Sequence, residues 1–537
     1  MNSRCRARVA FTAGLAVLAS CAQSPPPVSA PVTGMAGLSH EGSVSIDALR
    51  NDLTIFASDS FLGREAGTPN SVRAARFIAE RLGEMGLEPA GDSGYLQRVP
   101  LVRETMSASS NFRVTTQAGS TDLALWNDLI PIPSLGPRMP LPGLSAEGDL
   151  LFAGYGDGLS RKNARGKVVV VVNGGPASLD SVGRAEAEAP DKIPERLGKL
   201  VPLEPVAIII LLRESLYREY SARARDAADL GEPAPAWNAA ATAKRPLPMI
   251  LLGVASERSP LLPNNWQTAG APHSLSGRRF SGRAVLERVE VPAYNVVAIL
   301  KGRDASRAGS FVAFGAHLDH IGVQRSVNGD SIANGADDDG SGSMALLGVA
   351  RALAGRTEKP KRSMLFVWHT AEEKGLWGSE YFTQHPTVAI DSIVAQLNAD
   401  MIGRNDPDSL YLVGPSAAPN GQSRQLGAVV DSVNARLKRP FSINREWDSP
   451  THPEQIYFRS DHYSYAQRGI PIVFFTSGLH ADYHAVSDEV SRIDFGKLAR
   501  VAEFIMESGV AVGNSDSLNY SRPRPRTQLP PTPPGDR

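Results

Sequence analysis

Apolar residues recur at helical intervals in the segment SVRAARFIAERLGEMGL, residues 71–87. Positions three or four apart lie on one face of a helix, so this segment predicts an amphipathic helix that packs against a core. Gly86 is a natural stop for that helix. The apolar face would consist of Val72, Ala75, Ile78, Leu82 and Met85.

From residue 289 onward a different order repeats: an apolar run of strand length, then ionisable residues, then a helical pattern. Alternating strands and helices predict an α/β fold with a mostly parallel, doubly wound sheet sandwiched by helices. Ligand sites of such sheets lie beyond the carboxyl ends of the strands, so the ionisable residues should converge on one edge. The runs are FVAFGA before His317, SMLFVWHT before Glu372 and Glu373, SIVAQLNA before Asp400, and PIVFFTS before the segment that ends at His484.

Between residues 128 and 283 the pattern changes to short apolar runs, such as KVVVVV and VAIIILL, separated by glycine and proline. This pattern predicts a separate, strand-rich domain inserted between two parts of the main domain, residues 41–127 and 284–514. The stretch RLGKLVPLEPVAIIILL could instead supply one more helix and strand to the main sheet. Composition alone leaves both interpretations open.

Length and charge narrow the class of protein. At 537 residues the chain is too long for one compact core, since single domains usually comprise about 100–200 residues. The 56 lysines and arginines balance the 56 aspartates and glutamates, so no broad basic field is present to attract nucleic acid. The apolar fraction of 42% is that of a soluble globular protein.

The first residues predict export. Three arginines precede an apolar run at residues 9–18, which is typical of a signal peptide over residues 1–20. The sequence LASC, which ends at Cys21, resembles the lipobox of bacterial lipoproteins, and this resemblance implies acylation of Cys21 and a lipid anchor in the periplasm or outer membrane. The alternative is an ordinary signal with an incidental cysteine. The other cysteine is Cys5, so the exported body would have no disulfide.

Two further segments have the composition of flexible chain. Residues 21–40 are rich in proline and serine and would form a spacer between a lipid surface and a folded body. Residues 515–537 are rich in proline and are predicted to be disordered.

Three adjacent aspartates, Asp337, Asp338 and Asp339, lie in the glycine-rich stretch GADDDGSGS. A calcium loop is excluded, because its twelfth position is Gly348, where a bidentate glutamate is required. Capping of the apolar helix that follows Ser341 would need only one acid. The triplet therefore predicts that at least one carboxylate faces a cation.

Other candidates follow the predicted strands. Residues two apart in an extended segment face the same way, so Asp319 should lie near the imidazole of His317. Its carboxylate would then accept the second N–H of the ring and make His317 a better metal ligand. Glu372 and Glu373 point in different directions, so one can bind a cation while its neighbour transfers protons.

Asp400 lies among apolar residues, where an unpaired carboxylate would be energetically costly. His484 follows Tyr483 in a predicted loop. Nitrogen and carboxylate ligands without thiolates suit zinc, with cobalt and manganese as alternatives. Five ligands exceed what one tetrahedral catalytic zinc uses. Two metal ions about 3.5–4 Å apart, bridged by one carboxylate, use the whole set.

The motifs GAHLDHIG, NGADDDGSG, TAEEKGLWGSEYF, NADMIGR and YHAVSDE, in this order, resemble those of dinuclear zinc aminopeptidases of the bacterial leucyl aminopeptidase and aminopeptidase Y family. The resemblance also covers residues 52–82 and 459–478, and it implies a zinc exopeptidase fold that acts on peptide substrates. The block at residues 128–283 is similar to the protease-associated domain that some members carry as an insertion.

The resemblance also implies a role for each matched residue. Glu372 would be the general base, and Tyr483 would help to polarise the scissile carbonyl. Asp319 and Asp339 would hold the ligands in position without binding the ions themselves. Asp339 would follow an unusual peptide bond, often cis. The ligands of the two zinc ions would be His317 with Asp400, Glu373 with His484, and Asp338 as the bridge.

Other functions of the same fold remain open at this point. A carboxypeptidase resembling glutamate carboxypeptidase II would bind a substrate carboxylate through arginines such as Arg404 or Arg459, although salt bridges explain each of them equally well. A non-catalytic, receptor-like binding protein resembling the transferrin receptor ectodomain would hold no zinc. A cyclase related to glutaminyl cyclases would hold one.

Overall fold

The computed structural model describes residues 43–132, 142–176, 178–230, 232–235, 247–264, 266 and 272–516. The predicted signal peptide, Cys21 and the spacer lie outside the described residues, as does nearly all of the predicted tail at residues 515–537. Within the described ranges, none of the helices combines the length and the apolar character that a membrane crossing requires.

The described helices and strands are numbered here in chain order. The helices are α1 Ile46–Phe56, α2 Pro69–Glu84, α3 Arg161–Ala164, α4 Ser181–Ala187, α5 Lys192–Leu200, α6 Glu214–Leu230, α7 Gly342–Gly355, α8 Trp377–Gln384, α9 Arg424–Asn434, α10 His462–Ala466 and α11 Phe495–Asn514. The strands are β1 Glu88–Pro89, β2 Leu96–Arg98, β3 Leu101–Met106, β4 Asn111–Thr116, β5 Gly119–Leu123, β6 Leu129–Pro131, β7 Ser145–Phe152, β8 Val168–Val172, β9 Ala207–Leu212, β10 Glu232–Pro235, β11 Met249–Val254, β12 His273–Arg283, β13 Leu286–Val291, β14 Tyr294–Leu300, β15 Phe311–His317, β16 Val323–Val327, β17 Asp330–Ile332, β18 Ser363–His369, β19 Ile393–Ala399, β20 Ser409–Val413, β21 Ser442–Asn444 and β22 Ile472–Thr476.

Helix α2 confirms the helix predicted from the apolar pattern near the start of the chain. It begins where Thr68 accepts a hydrogen bond from the backbone N–H of Ser71 and where a proline occupies the first turn. Ala75, Ile78 and Leu82, three residues of the predicted apolar face, are fully buried.

The chain divides into two compact units, and the larger one contains the predicted doubly wound sheet. Its nine strands follow the order β1-β14-β18-β15-β19-β22-β20-β21, with β2 paired to β14. The four central strands, β18, β15, β19 and β22, are mutually parallel and are the four predicted from the apolar runs. Their carboxyl ends therefore meet at one edge, as the sequence predicts. The fold is α/β.

Helices cover both faces of this sheet. Phe314 on β15 and Phe366 on β18 face the layer of α1, α2, α7 and α11, whereas Ala313 and Val367 face the opposite layer with α8 and α10. Because successive strand residues point to opposite faces, strands buried on both sides are almost continuously apolar. α11 lies close to the sheet because it carries Gly509, where a Cβ atom would stand 2.2 Å from Cζ of Phe314.

The smaller unit comprises residues 103–289 and has its own sheet and core. Its eight strands follow the order β5-β4-β12-β7-β8-β9-β11-β6. The stretch VAIIILL forms β9 within this sheet, so the alternative that it extends the main sheet is wrong. The unit is wider than the insertion predicted for residues 128–283, because β4 and β5, which precede that range, join the same sheet: β4 pairs with β5 on one side and with β12 on the other.

A buried arginine in the larger unit ties together the loops that lead to the predicted site. Arg64 is fully buried, and all of its hydrogen bonds go to backbone carbonyl oxygens. Nε donates to Leu318 at 3.0 Å, Nη1 to Phe56 at 3.1 Å and Asn334 at 2.7 Å, and Nη2 to Gly335 at 2.9 Å. The segment after β15 and the loop before the aspartate triplet are thus held by one side chain. Burial lowers the pKa of Arg64 to about 10, although nearby aspartates oppose this effect.

Replacing Arg64 by methionine should destabilise the protein by several kcal/mol, because each buried carbonyl left without a donor costs about 1–3 kcal/mol. Urea unfolding followed by far-UV circular dichroism measures the loss. Arg73→Met is the matched control, since Arg73 is exposed and makes one bond to a backbone carbonyl, at Ser60. That change should cost less than about 1 kcal/mol. Equal losses for the two variants would contradict the anchoring role of Arg64.

Candidate metal centre

The carboxyl edge of the main sheet brings together the five residues predicted as metal ligands. His317 is the last residue of β15, Asp400 directly follows β19, and Glu373 lies in the loop after β18. Asp338 precedes α7, and His484 lies in the loop after β22. Parallel strands ending at one edge place these side chains together, although the residues are far apart in the sequence.

Asp338 lies at the centre of the group. Its Oδ1 is 3.2 Å from Nε2 of His317, and its Oδ2 is 3.2 Å from Nε2 of His484. Oδ1 of Asp400 lies 3.6 Å from the same His317 nitrogen, and Oε2 of Glu373 lies 2.9 Å from the same His484 nitrogen. The side chains therefore form two pairs, and one carboxylate faces both of them.

The burial of these groups fits a cation on each side of Asp338. Asp338 is 3% exposed, Asp400 is 7% exposed, and Oδ1 of Asp400 is a buried atom without a hydrogen-bond partner among the described residues. A buried, ionised carboxylate without a donor is costly, and a cation removes that cost. The nitrogen and oxygen donors, without sulfur, are those that zinc accepts.

The electrostatics of the group also favour positive charge. Burial acts to lower the pKa of His484, but Glu373 and Asp338 outweigh burial and raise it to about 11. Burial and Asp338 act to raise the pKa of Glu373, but His484 and His320 outweigh them and lower it to about 2. The carboxylate of Glu373 thus stays ionised and attracts a counter-charge, whereas burial raises the pKa of Asp400.

The three adjacent aspartates have different contacts. Oδ2 of Asp339 accepts from the backbone N–H of His317 at 3.0 Å, and its Oδ1 accepts from those of Gly342 at 2.9 Å and Met401 at 3.3 Å. Asp339 lies near His317 and Asp400, but both of its oxygens are occupied by backbone donors. It therefore fixes the backbone around the site. The peptide bond between Asp338 and Asp339 is cis, which confirms the bond that the resemblance implies.

Asp337 and Asp488 fix the same loop from the other side. Oδ1 of Asp337 accepts from the backbone N–H of Gly403 at 2.7 Å, and its Oδ2 lies 3.2 Å from Nε2 of His480. The carboxylate of Asp488 accepts from the backbone N–H groups of Asp337 and Asp338. Burial raises the pKa of Asp488 to about 6, and Asp337 adds to the rise. The motif YHAVSDE contains Asp488, but sequence reasoning gave it no role.

Asp319 supports the site differently from the prediction. Nδ1 of His317 lies 3.1 Å from the backbone carbonyl oxygen of Asp319 and 4.0 Å from its carboxylate. The acceptor is therefore the carbonyl oxygen, and the predicted carboxylate contact is wrong, because the chain turns after β15. Oδ1 of Asp319 instead accepts from the backbone N–H of Glu372 at 3.1 Å. An N–H at Nδ1 of His317 leaves the Nε2 lone pair directed at Asp338.

Glu372 lies beside the group. Its Oε2 is 4.0 Å from Nε2 of His317, and its side chain lines the cavity that opens onto Asp338 and Asp400. Burial raises the pKa of Glu372 well above its usual range. The neighbouring Glu373 points to His484, so the two adjacent glutamates do face different ways, as predicted.

Tyr483 and Arg459 line the same cavity. The ring of Tyr483 stacks on His484, with ring centroids 3.9 Å apart, and its hydroxyl accepts from Nη2 of Arg459 at 3.2 Å. Arg404 is bound at 2.6 Å to Asp482, which matches the salt-bridge interpretation of that arginine. The lining of the cavity also includes five apolar side chains: Met401, Trp447, Ile456, Phe474 and Leu479.

Two contacts of the site were missed in the sequence. Nδ1 of His320 lies 2.7 Å from Oε1 of Glu373, and Oγ of Ser460 donates to Oδ2 of Asp400 at 2.7 Å. The available signal was weak: a second histidine in HLDH and a serine in RSDH. Neither spacing shows which carboxylate the side chain would meet.

Residues 295–508 match the model of the family described as Peptidase family M28. Among curated proteins, the chain is 28% identical over 251 residues to leucine aminopeptidase 1 of Trichophyton rubrum, which covers 45% of this chain and 63% of that protein. It is 31% identical over 229 residues to the probable leucine aminopeptidase 2 of Aspergillus oryzae, which covers 42% of this chain and 41% of that protein. The chain thus matches less than two thirds of the length of these relatives.

Solved structures of aminopeptidases are also similar. The aminopeptidase from Aneurinibacillus sp. strain AM-1 aligns with 18% identity and a TM-score of 0.47, covering 90% of this chain and 95% of that one. BSAP, a zinc aminopeptidase from Bacillus subtilis, aligns with 16% identity and a TM-score of 0.46, covering 90% and 99%. The segment that matches the family described as Peptidase family M28, residues 295–508, contains the whole group of acids and histidines around Asp338.

Proposed function

We propose that the chain is a zinc-dependent aminopeptidase with two zinc ions per site, which releases amino-terminal residues from peptides. The observation that carries this proposal is the position of Asp338 between the His317–Asp400 and His484–Glu373 pairs. The similarity of residues 295–508 to peptidase family M28 supports the same reaction class.

The five residues would hold the ions in two sets. His317 and Asp400 would hold one, Glu373 and His484 would hold the other, and Asp338 would contact both. When bound, two zinc ions would polarise the scissile carbonyl and make a water molecule acidic enough to attack it.

Glu372 is placed to move the proton. It faces the cavity next to His317 and is not part of either pair, so its carboxylate is free to accept a proton from the attacking water. The same carboxyl group would then give that proton to the leaving amine. Asp319 accepts from the backbone N–H of Glu372 and so fixes the backbone from which that side chain extends.

Tyr483 would donate a hydrogen bond to the carbonyl oxygen as negative charge develops there. Its hydroxyl lines the cavity and is held by Arg459. The apolar part of the cavity lining, which includes Met401 and Phe474, would receive the side chain of the amino-terminal residue. Large apolar residues such as leucine are therefore the proposed preference, in keeping with the leucine aminopeptidases among the relatives.

A carboxypeptidase is the second candidate, because Arg459 lines the cavity and would suit a terminal carboxylate. Metal content distinguishes two further candidates from the aminopeptidase. A receptor-like binding protein would hold no zinc ion, and a single-zinc cyclase would hold about one per chain.

We also propose that the chain is exported and anchored by lipid at Cys21, on the basis of the arginine-led apolar run and the LASC sequence. The unit of residues 103–289 is proposed to be an inserted protease-associated domain, supported by its separate sheet and core.

Zinc removal should abolish hydrolysis of amino-acid arylamides by the purified full chain, and zinc addition should restore it. Metal analysis of the active protein should give about two zinc ions per chain, since five ligands around a shared carboxylate suit two ions. Activity that survives complete removal of metal would refute the proposal.

Leucine arylamide should exceed glycine arylamide in kcat/KM by about 10-fold or more, because the cavity buries the larger apolar side chain.

Blocked dipeptides should separate the two peptidase candidates. An aminopeptidase needs the free amine, so leucyl-glycine and its carboxyl amide should both be cleaved, whereas the N-acetylated peptide should not. Product formation is measured by chromatography. Cleavage of the acetylated peptide together with resistance of the amide would instead identify a carboxypeptidase.

Glu372→Gln should lower kcat by about 10²–10⁴-fold, because glutamine cannot carry the proton. Zinc content should stay near that of the wild type, since Glu372 belongs to neither pair. Glu358→Gln is the matched control, because it makes the same chemical change at an exposed position. Normal turnover by Glu372→Gln would show that another group is the base.

Asp338→Asn provides the contrasting outcome. This substitution removes the carboxylate between the two pairs, so the variant should lose zinc as well as activity. Atomic absorption of the purified variants distinguishes this loss of zinc from the loss of activity alone that is expected for Glu372→Gln.

A further inference from the structure

His320 lies in the site, but neither the family resemblance nor the two-pair arrangement assigns it a role. It lies three residues after His317 and is fully buried. Its ring meets that of His484 edge to face, with centroids 5.7 Å apart. A buried imidazole this close to two carboxylates, Glu373 and Asp338, requires a physical account.

The carboxylate of Glu373 is shared between two histidines. Oε1 lies 2.7 Å from Nδ1 of His320, and Oε2 lies 2.9 Å from Nε2 of His484. A carboxylate bonded at one oxygen can no longer rotate freely about its last side-chain bond. The contact with His320 therefore keeps Oε2 of Glu373 directed at His484 and Asp338.

The hydrogen bonds of the ring assign its proton. Nε2 of His320 is buried and has no hydrogen-bond partner among the described residues, whereas Nδ1 faces the Glu373 oxygen. A proton on Nε2 of the neutral ring would leave that donor without an acceptor, and it would set the lone pair of Nδ1 against the lone pairs of the Glu373 oxygen. The neutral ring therefore carries its proton on Nδ1 and donates it to Oε1 of Glu373.

The surrounding backbone keeps the ring in place. A Cβ atom at Gly335 would stand 2.4 Å from Cγ of His320, so only glycine allows this loop to lie against the ring. Gly335 also has a φ of 57°, which favours glycine. Arg64 donates to the carbonyl oxygens of Gly335 and Leu318, and it so fixes the loops on both sides of His320.

We infer that His320 is a positioning residue, whose Nδ1–H orients the carboxylate of Glu373 so that Oε2 can hold the ion shared with His484 and Asp338. This inference rests on the proposed two-zinc function. The competing arrangement makes His320 a ligand itself, since His320, Asp338 and Glu373 could also surround an ion. A nitrogen that donates its proton to a carboxylate has no lone pair for a metal, and this argues for positioning.

Side chains that orient a metal ligand typically change metal affinity by about 10–100-fold. His320→Ala should therefore make one of the two zinc ions about 10–100-fold easier to remove, while the other keeps its wild-type affinity. The measurement is zinc retained per chain during titration of the full chain with a chromophoric chelator, and it needs no activity assay.

Two further variants test the Nδ1 donor itself. The amide nitrogen of asparagine reaches nearly the position of Nδ1, so His320→Asn should retain zinc close to the wild-type level. Glutamine places its amide near the position of Nε2, so His320→Gln should resemble His320→Ala. If asparagine loses zinc as readily as alanine, the ring binds the metal or only fills space, and the inference is wrong.

The controls separate this inference from the proposed function. His385→Ala removes an exposed histidine that stacks on Tyr381, and it should hold zinc like the wild type. Thermal unfolding of each variant shows whether the fold is retained. Wild-type affinity of His320→Ala for both ions would overturn the positioning role alone. A wild-type chain that binds no zinc would overturn the proposed function as well.

Discussion

A carboxylate that is nearly fully buried between two histidines is the interaction on which the rest of the site depends. Asp338 is 3% exposed and faces His317 with one oxygen and His484 with the other. A buried charge is stable only when it is paired and its geometry is fixed. The fold therefore has to hold the backbone at Asp338 while leaving both carboxylate oxygens directed at the two pairs.

The neighbouring acids meet that requirement. Asp488 accepts from the backbone N–H of Asp338, and Asp339 accepts from those of Gly342, the first residue of α7, and Met401, which follows β19. Arg64 adds a cation whose donors all go to carbonyl oxygens of the surrounding loops. Adjacent aspartates would repel one another on a surface. Here the carboxylates of Asp337 and Asp339 accept hydrogen bonds from backbone N–H groups, so only the carboxylate of Asp338 is directed at the cavity.

The sequence predicted the parts of this arrangement that depend on pattern. The apolar runs that became β15, β18, β19 and β22 located the sheet edge, because strands buried on both faces must be apolar throughout. The motifs contain the five residues proposed as ligands. In the structure these residues lie together, as two pairs around Asp338.

Contacts that depend on the direction of the backbone were not predictable in the same way. The alternation rule placed the carboxylate of Asp319 near His317, but the chain leaves the strand there and presents its carbonyl oxygen instead. His320 and Arg64 bind groups more than 50 residues away in the sequence, and no local pattern encodes such a partner. The edges of the smaller unit were missed because its outer strands are only half apolar, as in the burial pattern of β4.

The adjacent glutamates show how one short loop can serve two chemical tasks. Ala371 has a φ of 55°, a conformation that non-glycine residues seldom adopt, and it turns the chain just after β18. Asp319 then binds the backbone of Glu372, and His320 and His484 bind the carboxylate of Glu373. Each glutamate is thus fixed by different groups, so the orientation of Glu373, the proposed ligand, does not depend on that of Glu372, the proposed base. If Glu372 carries the proton as proposed, its carboxylate has to reorient between water and the leaving amine while Glu373 stays in place, and the separate anchoring of Glu373 meets that requirement.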